Sequence, residues 1–245
     1  EAPGSRLDRV FSLASEFGAA VICLLIDEEG QARDLEWKLR VARRIHQIAT
    51  ERYGLETEDL IFDALTFPLS TGDDDLRRDA IATIEAIRAI KSELPGAHTT
   101  LGLSNVSFGL SPAARHALNS VFLHECVQAG LDSAIVHAAK IMPLARIPEE
   151  QRDVCLDLVW DRRRSDGALS GGDPGYDPLT KLLEVFADVK VATVEKEDRS
   201  DWPVAERLKH RIIDGDREGL TDDLDQALSD GWAALALVND VLLDG

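Results

Sequence analysis

The sequence predicts an α/β fold built around a parallel sheet. Two observations lead to this prediction: short aliphatic segments alternate with longer segments whose apolar residues recur every three or four positions, and a polar residue follows each aliphatic segment. The four strands predicted in this way recur at intervals of about 40 residues, as right-handed β-α-β crossovers require. With 245 residues and 44% hydrophobic content, the chain can bury either one α/β barrel core or two smaller ones.

The first unit opens with a continuous apolar stretch rich in aliphatic residues, Ala19 to Ile26, which we expect to be a strand buried on both faces. The stretch ends in the polar turn Asp27 to Gly30. A helix follows, and it is predicted to stop at Gly54. Its single apolar stripe consists of Leu35, Leu39, Ala42, Ile45 and Ala49.

The next units repeat the pattern. The second strand is predicted at Leu60 to Phe62, before Asp63, and the third at Thr99 to Leu103, before the turn Ser104-Asn105. Helices follow both strands, the first closed by Pro95-Gly96 and the second by Gly130. Their apolar positions are Leu76, Ala80, Ile84, Ile87 and Ile90 in the first, and Leu118, Val121, Phe122 and Val127 in the second. Ser133 to Val136 predicts the fourth strand, and His137 follows it.

The remaining third of the chain has a different composition. Ser165 to Pro178 is rich in Gly, Asp and Pro and predicts a loop, after which Leu179 to Val189 predicts a helix and Lys190 to Ser200 a charged, extended linker. Two helical patterns follow within Trp202 to Gly245, and two helices are too few to close a core, so we expect half of a bundle. The chain begins at Glu1 without Met and stops directly after an amphipathic run, so we expect it to be a piece of a longer polypeptide.

Charge and hydropathy exclude several classes of partner. A formal net charge of −18 argues against nucleic acid and anionic membranes, because binding to either needs a basic surface. The longest apolar run is too short to span a bilayer, so we expect a soluble, cytoplasmic protein. Three widely spaced cysteines, Cys23, Cys126 and Cys155, are expected to be reduced, buried and without a bound metal.

Polar side chains stand where the predicted strands end: Asp27, Asp63, Ser104 with Asn105, and His137. The carboxyl ends of the strands in a parallel barrel face the substrate, so one polar group per strand is the expected form of a site. The same residue types also cap helices and form tight turns, so this structural alternative stays open for each position.

The segment GLSNVSFG, Gly102 to Gly109, is the most specific part of the sequence. Gly102 would let the backbone approach a flat ligand, and Ser104 and Asn105 offer hydrogen-bond donors and acceptors. Val106 and Phe108 could form an apolar wall beside that ligand.

This segment, together with Arg115 and the residues R..LN..FL that begin there, resembles the methyltetrahydrofolate-binding module of cobalamin-dependent methionine synthases and their corrinoid-protein methyltransferase relatives. IFDxxxF…TG from Ile61, IDEEGQA from Ile26 and IVHA from Ile135 are similar to further strands of that module. After the linker, Val204 to Gly245 looks like the first two helices of the cap that covers cobalamin.

The resemblance implies the C-terminal half of a pterin-binding (β/α)8 TIM barrel at residues 1–189, a linker at 190–200, and the first helices of a truncated helical-bundle cap at 201–245. The four predicted strands would be the fifth to eighth of the barrel. The first half of the barrel, the DxHxxG corrinoid loop, the reactivation domain and the zinc-binding cysteines of the homocysteine module have no counterpart in this sequence.

The resemblance and the residue chemistry together suggest roles at the site. Asp63 would accept the amidine edge of a pterin, for which a carboxylate is the matching two-oxygen acceptor, unless it is a helix N-cap. Arg115 would hold the folate tail or the pterin carbonyl, unless it is an exposed helix residue. Asp27 lies either at the mouth of the site or at a solvated helix cap. His137 is either on the floor of the pocket or a hydrogen-bonded core histidine. Asn105 is the predicted catalytic residue. The full set of expected folate-binding residues is Asp27, Asp63, Gly102, Ser104, Asn105, Ser107, Phe108, Arg115 and His137.

The resemblance implies a methyltransferase of methionine biosynthesis. Its parent would transfer the N5 methyl group of 5-methyltetrahydrofolate to cob(I)alamin and then to homocysteine, giving methionine and tetrahydrofolate. The alternatives are a stand-alone corrinoid-dependent folate methyltransferase, an enzyme similar to dihydropteroate synthase, and an inactive binding or structural fragment. Other modules of the same polypeptide are the expected partners, and self-association through open sheet edges is expected of the isolated chain. The scattered histidines predict no metal site in this chain.

Overall fold

The computed structural model describes residues 5–73, 76–163, 175–189, 199–214 and 219–242. The chain divides into two compact units, residues 1–191 and residues 192–245. The predicted linker, 190–200, includes the boundary between these units, and all of it except the last two residues lies outside the described part of the chain. Most of the predicted loop from Ser165 to Pro178 lies outside it as well.

A parallel sheet forms the centre of the first unit. Strand β1 (Val21–Leu24) pairs with β4 (Leu60–Asp63), and β4 pairs in turn with β5 (His98–Thr100). Each strand therefore lies beside the next predicted strand along the chain, as the α/β interpretation requires. The registers place Leu24 beside Asp63, and Asp63 beside Thr100, so that three strands end at one edge.

Six helices lie in the described part of the first unit. They are α1 (Arg6–Phe17), α2 (Leu35–Tyr53), α3 (Asp79–Glu93), α4 (Pro112–Gln128), α5 (Glu149–Val159) and α6 (Pro178–Val185). The sheet buries the face that carries Val21, Cys23, Leu60 and Phe62 against this helical layer. The predicted stop of α2 is confirmed, since Gly54 takes a left-handed conformation after it. Helices α1 and α5 were not predicted, because α1 buries only Phe11 and Ala14 and α5 follows two short turns in place of a strand.

The prediction that the first strand is buried on both faces is wrong. Val21 and Cys23 are buried, whereas Ile22 and Leu24 between them are 56% and 50% exposed. The strand register places Ile22 and Leu24 on the same face as Ile61 and Asp63. The helices cover only the opposite face, so this wholly apolar strand has one buried face and one exposed face.

The first predicted strand also ends earlier than expected. After Leu25, the chain forms a short antiparallel hairpin from β2 (Ile26–Asp27) and β3 (Gly30–Gln31). Leu25 still donates its backbone N–H to the Asp63 carbonyl at 3.2 Å, so the hairpin begins directly beyond the edge of the sheet.

The predicted fourth strand is reduced to one bridge, in which Ile135 pairs with Gly102. Ser133 and Ile135 donate to the carbonyls of Thr99 and Leu101, at 3.1 and 2.8 Å, so the parallel register persists over three residues. The Asp132 carboxylate fixes the start of this fourth segment, because it accepts the Thr99 backbone N–H at 2.8 Å. The third strand is shorter than predicted too, because residues Leu103–Ser107 form a 3₁₀ helix.

The second unit contains α7 (Val204–Asp214), α8 (Leu220–Ser229), α9 (Ala234–Leu237) and a π-helical turn (Val238–Leu242). The second of the two predicted helical patterns is divided between α8 and α9, because Gly231 takes a positive φ of 96° and the chain turns there. Asp223 lies between Arg207 and Arg211 and accepts from their Nε atoms at 2.9 and 2.5 Å. A small apolar cluster closes around Val204, Leu208, Ala227, Leu237 and Val241.

Other expectations concern burial and membranes. All three cysteines are buried and unpaired, as predicted, and burial raises the pKa of Cys23 and Cys155 to about 12. Within the described ranges, no helix combines the length and the apolar character that a membrane span needs.

The uncovered sheet face generates a first prediction. The isolated chain is expected to self-associate, because the free edge of β1 and the exposed apolar side chains beside it offer a surface for pairing. The substitution Ile22→Glu should shift the light-scattering mass toward the monomer, since it places a charge in the centre of that surface.

The matched control is Leu183→Glu, because Leu183 is similarly exposed, at 54%, but belongs to helix α6 and not to the sheet. A chain that stays monomeric at high concentration, or an equal effect of both substitutions, would contradict the prediction.

Candidate functional site

Two loops meet at the carboxyl edge of the sheet. The loop after β4 contacts the segment Gly102 to Gly109, since Leu69 donates its backbone N–H to the Val106 carbonyl at 3.0 Å and the Ser70 hydroxyl donates to the Phe108 carbonyl. The polar groups predicted at the ends of the second and third strands are therefore neighbours in space.

Asp63 is the last residue of β4, and its carboxylate turns into the loop that follows. Its Oδ1 accepts the Leu65 backbone N–H at 2.9 Å. The alternative role as a helix N-cap is wrong, because α3 begins only at Asp79. Burial raises the pKa of the Asp63 carboxyl, while the Leu65 N–H and the Lys38 ammonium oppose that rise. In the described part of the chain, Oδ2 receives no hydrogen bond and stays available to a ligand.

A buried lysine lies behind this loop. Lys38 of α2 is fully buried, and its Nζ donates to the Ala32 carbonyl at 3.0 Å and to the Ala64 carbonyl at 2.6 Å. Its Nζ also lies 5.2 Å from the centroid of the Phe67 ring. Desolvation lowers the pKa of Lys38 to about 8, against the attraction of Asp79 and Asp63.

The same cluster contains an ion pair. Arg33 donates to Asp79 Oδ2 from Nη2 at 2.8 Å and from Nε at 3.2 Å, and its guanidinium lies 4.2 Å from the Phe67 ring centroid. The Thr83 hydroxyl donates to the Leu65 carbonyl at 2.8 Å. Side chains of α2 and α3 thus fix the backbone of the loop after Asp63.

The 3₁₀ turn in the segment Gly102 to Gly109 is braced from within. The buried Ser107 hydroxyl donates to the Ser104 carbonyl at 3.2 Å and accepts from Arg115 Nε at the same distance. Arg115 Nη2 also donates to the Ser104 carbonyl, at 3.4 Å. Ser104, Ser107 and Arg115 therefore shape the segment, and a direct contact of any of them with a ligand stays a prediction.

Asn105 and Phe108 are the exposed side chains of the turn. The Asn105 amide nitrogen lies 3.6 Å from the position that a Cβ on Gly102 would occupy. The amide nitrogen therefore lies close to the bare backbone of Gly102, and a contact of this amide with a ligand stays a prediction.

The two outer candidates lie at the periphery. Asp27 in the hairpin accepts hydrogen bonds from Trp37 Nε1 and the Glu29 N–H, both at 2.9 Å, and from Arg40 at 3.4 Å. Desolvation would raise its pKa, yet these three donors lower it. Both oxygens are thus in use, and a ligand role for Asp27 stays a prediction.

His137 is exposed, so the interpretation as a core histidine is wrong. The physical reason is that the fourth strand ends before it and a 3₁₀ turn begins after it, beyond the cover of the helices. Whether His137 contacts a ligand stays a prediction. For metals, the described residues hold no group of three or more His, Cys, Asp or Glu side chains suited to an ion.

Sequence reasoning missed Lys38, Arg33 and Asp79. A signal for Lys38 existed, because it falls three residues after Leu35 and four before Ala42, on the apolar stripe of the predicted helix. A charged residue in that stripe must be buried with partners or break the packing.

Two family models and curated relatives match this chain. The family model described as pterin binding enzyme matches residues 3–137, and the model described as B12 binding domain matches residues 204–245. The methionine synthase of Mycobacterium tuberculosis (strain ATCC 25618 / H37Rv) is 51% identical over 249 residues, and that of Mycobacterium leprae (strain TN) is 50% identical over 249 residues.

Both alignments cover 100% of this chain and 20% of the relative, so the chain spans about a fifth of the length of these curated relatives. The resemblance drawn from the segment Gly102 to Gly109 is thereby confirmed. Since the first family model matches more than half of the residues, this chain belongs to the family of pterin-binding enzymes.

Proposed function

We propose that this chain is the pterin-binding part of a methionine synthase, which binds 5-methyltetrahydrofolate so that its N5 methyl group passes to cob(I)alamin and then to homocysteine. One observation carries the proposal: Asp63, with an available oxygen, and Asn105, with an exposed amide, stand on loops that are hydrogen-bonded to each other at the end of a parallel sheet. The identity of about one half to methionine synthases supports the same assignment.

The first unit is proposed to be the C-terminal half of a (β/α)8 barrel. Its strands are neighbours in chain order, and they expose Ile22, Leu24 and Ile135. In a complete barrel the inward-facing side chains of all strands pack against one another, which would explain why an aliphatic face is uncovered here. The first half of such a barrel would then supply the remaining walls of the pocket.

The second unit is proposed to begin the cap over cobalamin. Taken by itself, it exposes Leu228, Leu235 and Val238, and apolar surface of this kind fits a covering role over a large ring. The DxHxxG loop has no counterpart in the sequence, so we propose only a covering role for these residues. When bound, cob(I)alamin supplies the nucleophile that accepts the methyl group. Zinc and homocysteine would be bound by other modules, in an enzyme that we expect to be cytoplasmic.

Asp63 is proposed to anchor the ligand. The amidine edge of a pterin presents adjacent N–H donors, and an ionised carboxylate accepts them with charge-assisted hydrogen bonds. Oδ1 already accepts the Leu65 N–H, which fixes the plane of the carboxylate before any ligand arrives. The pterin would therefore meet an acceptor that needs little reorganisation.

Asn105 is proposed to act at N5. The tertiary amine at N5 leaves badly unless the positive charge on it is stabilised or a proton arrives during transfer. A carboxylate in this position would hold the cation as a stable ion pair. A neutral amide can donate to unprotonated N5 and, after rotation, accept from N5–H, so it serves both states.

The alternative enzymes are less well supported. The match to a B12 binding domain beyond residue 204 favours a multi-module methionine synthase over a stand-alone methyltransferase or an enzyme similar to dihydropteroate synthase. The competing hypothesis is that the isolated chain is an inactive fragment. Titration with 5-methyltetrahydrofolate distinguishes the two.

Asn105→Ala in the natural full-length protein should slow single-turnover methyl transfer to cob(I)alamin by about 10- to 150-fold, because a hydrogen bond to a charged group contributes roughly 1.5 to 3 kcal/mol. Folate affinity should fall less, since Asp63 still holds the ring edge. The control is Gln128→Ala, which removes an exposed amide at the far end of α4. Methyl transfer at the parental rate in Asn105→Ala would contradict a catalytic role, and Asn105 would then be a structural residue of the turn.

Asp63→Asn should show the opposite balance, with folate binding weakened more than the chemical step. In the parent, affinity should also fall as pH drops through the pKa of Asp63, which burial places above its ordinary value, because the protonated acid cannot accept both ring donors. Asp59→Asn, at the opposite end of the same strand, is the control. Equal effects of both substitutions on the dissociation constant would argue against an anchor at Asp63.

The isolated chain should bind 5-methyltetrahydrofolate weakly. Two unmade hydrogen bonds to the missing walls, at roughly 1.5 kcal/mol each, would remove about 3 kcal/mol of affinity. Isothermal titration of residues 1–245 tests this expectation, and micromolar or tighter binding would show that the site is misplaced.

A further inference from the structure

The buried charge at Lys38 needs a physical explanation. A fully buried ammonium loses its hydration, and this is costly unless nearby groups compensate. Two hydrogen bonds to carbonyls compensate in part, to Ala32 after the hairpin and to Ala64 directly after Asp63. A neutral donor could make the same two hydrogen bonds with a smaller desolvation cost. The positive charge of Lys38 must therefore also act on another group.

The charged groups around Lys38 identify what it faces. Asp79, Asp63 and Asp34 attract its ammonium, and Arg33 repels it. Asp79 is already paired with Arg33, and Asp34 accepts the Trp37 N–H as the cap of α2. Asp63 differs from Asp79 because, among the described residues, its carboxylate has no cationic hydrogen-bond partner. It differs from Asp34 because Asp34 is exposed to water, which screens its charge, whereas Asp63 is partly buried. Lys38 is the cation that acts on Asp63.

We propose that Lys38 is a positioning residue of the ligand site, which fixes the backbone after Asp63 and holds the Asp63 carboxylate in its ionised form. This inference rests on the proposed function, in which Asp63 accepts the pterin edge. The contact to the Ala64 carbonyl is the shorter of the two, at 2.6 Å, and Ala64 lies between Asp63 and the Leu65 N–H that orients it. One side chain thus acts on both the geometry and the charge of the anchor.

The electrostatic part of the proposal has a definite sign. Burial raises the pKa of Asp63, and the Lys38 charge pulls it back down. Without that charge the carboxylate becomes protonated at a higher pH, so ligand affinity is lost earlier as the solution is acidified. A residue that acted only through packing would lower stability without moving this pH midpoint.

The test compares Lys38→Met with Lys91→Met in the natural full-length protein, by measuring the dissociation constant of 5-methyltetrahydrofolate as a function of pH. Lys91 is the matched control, because its Nζ also donates to a backbone carbonyl, that of Ala97 at 2.9 Å, and to the Asp132 carboxylate, at the opposite end of the sheet. Lys38→Met should raise the acid midpoint by about one pH unit, which corresponds to about tenfold weaker binding below it. Lys91→Met should leave the midpoint unchanged.

A second measurement keeps the proposal falsifiable if Lys38→Met does not fold. The ε-carbon resonance of Lys38 can be followed by NMR in the parent and in Asp63→Asn. The parent should titrate near a pKa of about 8, and loss of the Asp63 charge should lower that pKa further. An unchanged Lys38 titration in Asp63→Asn would overturn the inference.

The outcomes separate the two proposals. Folate binding that does not depend on Asp63 would overturn the proposed function. Binding that depends on Asp63, but with the same acid midpoint in Lys38→Met and the parent, would overturn only the role of Lys38.

Discussion

Parallel pairing of the strands is the constraint on which the candidate site depends. Because β1, β4 and β5 run in one direction, the residues that follow them in the chain arrive at one edge, although Asp63 and Asn105 are separated by more than 40 positions. The loops then hold each other through the bonds from Leu69 to Val106 and from Ser70 to Phe108. Neither loop would have a defined position without the sheet beneath it.

The two faces of the sheet have different roles. Helices close one face completely, with Phe62 and Leu60 fully buried, whereas the other face leaves Ile22 and Leu24 open. Asp63 and Asn105 lie at the carboxyl edge, which borders this open face. This edge therefore combines polar side chains with the exposed apolar side chains of Ile22 and Leu24.

The sequence predicted the order of the parallel strands, the end of the second strand and the polar residues that follow the strands, because short apolar runs followed by Asp, Ser or Asn are local signals. The first and third strands end earlier than predicted and the fourth is a single bridge, because an apolar run does not show where strand pairing stops. It did not predict that Ile22 is exposed, since a run without alternation is the same whether one face or both are covered. It also missed Lys38, whose partners are two backbone carbonyls, and any residue type can contribute a carbonyl. The hairpin at Asp27 was missed because its strands are two residues long.

The backbone at Leu65 has a consequence for how the site is prepared. Leu65 takes a φ of 62°, in the left-handed region that side chains with a Cβ avoid, at a cost of roughly 1 to 3 kcal/mol. Asp63 holds its N–H and Thr83 holds its carbonyl, so the fold maintains the strained conformation from both sides. The loop is therefore preorganised at the expense of stability. A glycine in this position would relieve the strain, but it would also remove a core side chain that is only 7% exposed and leave the backbone after Asp63 more flexible.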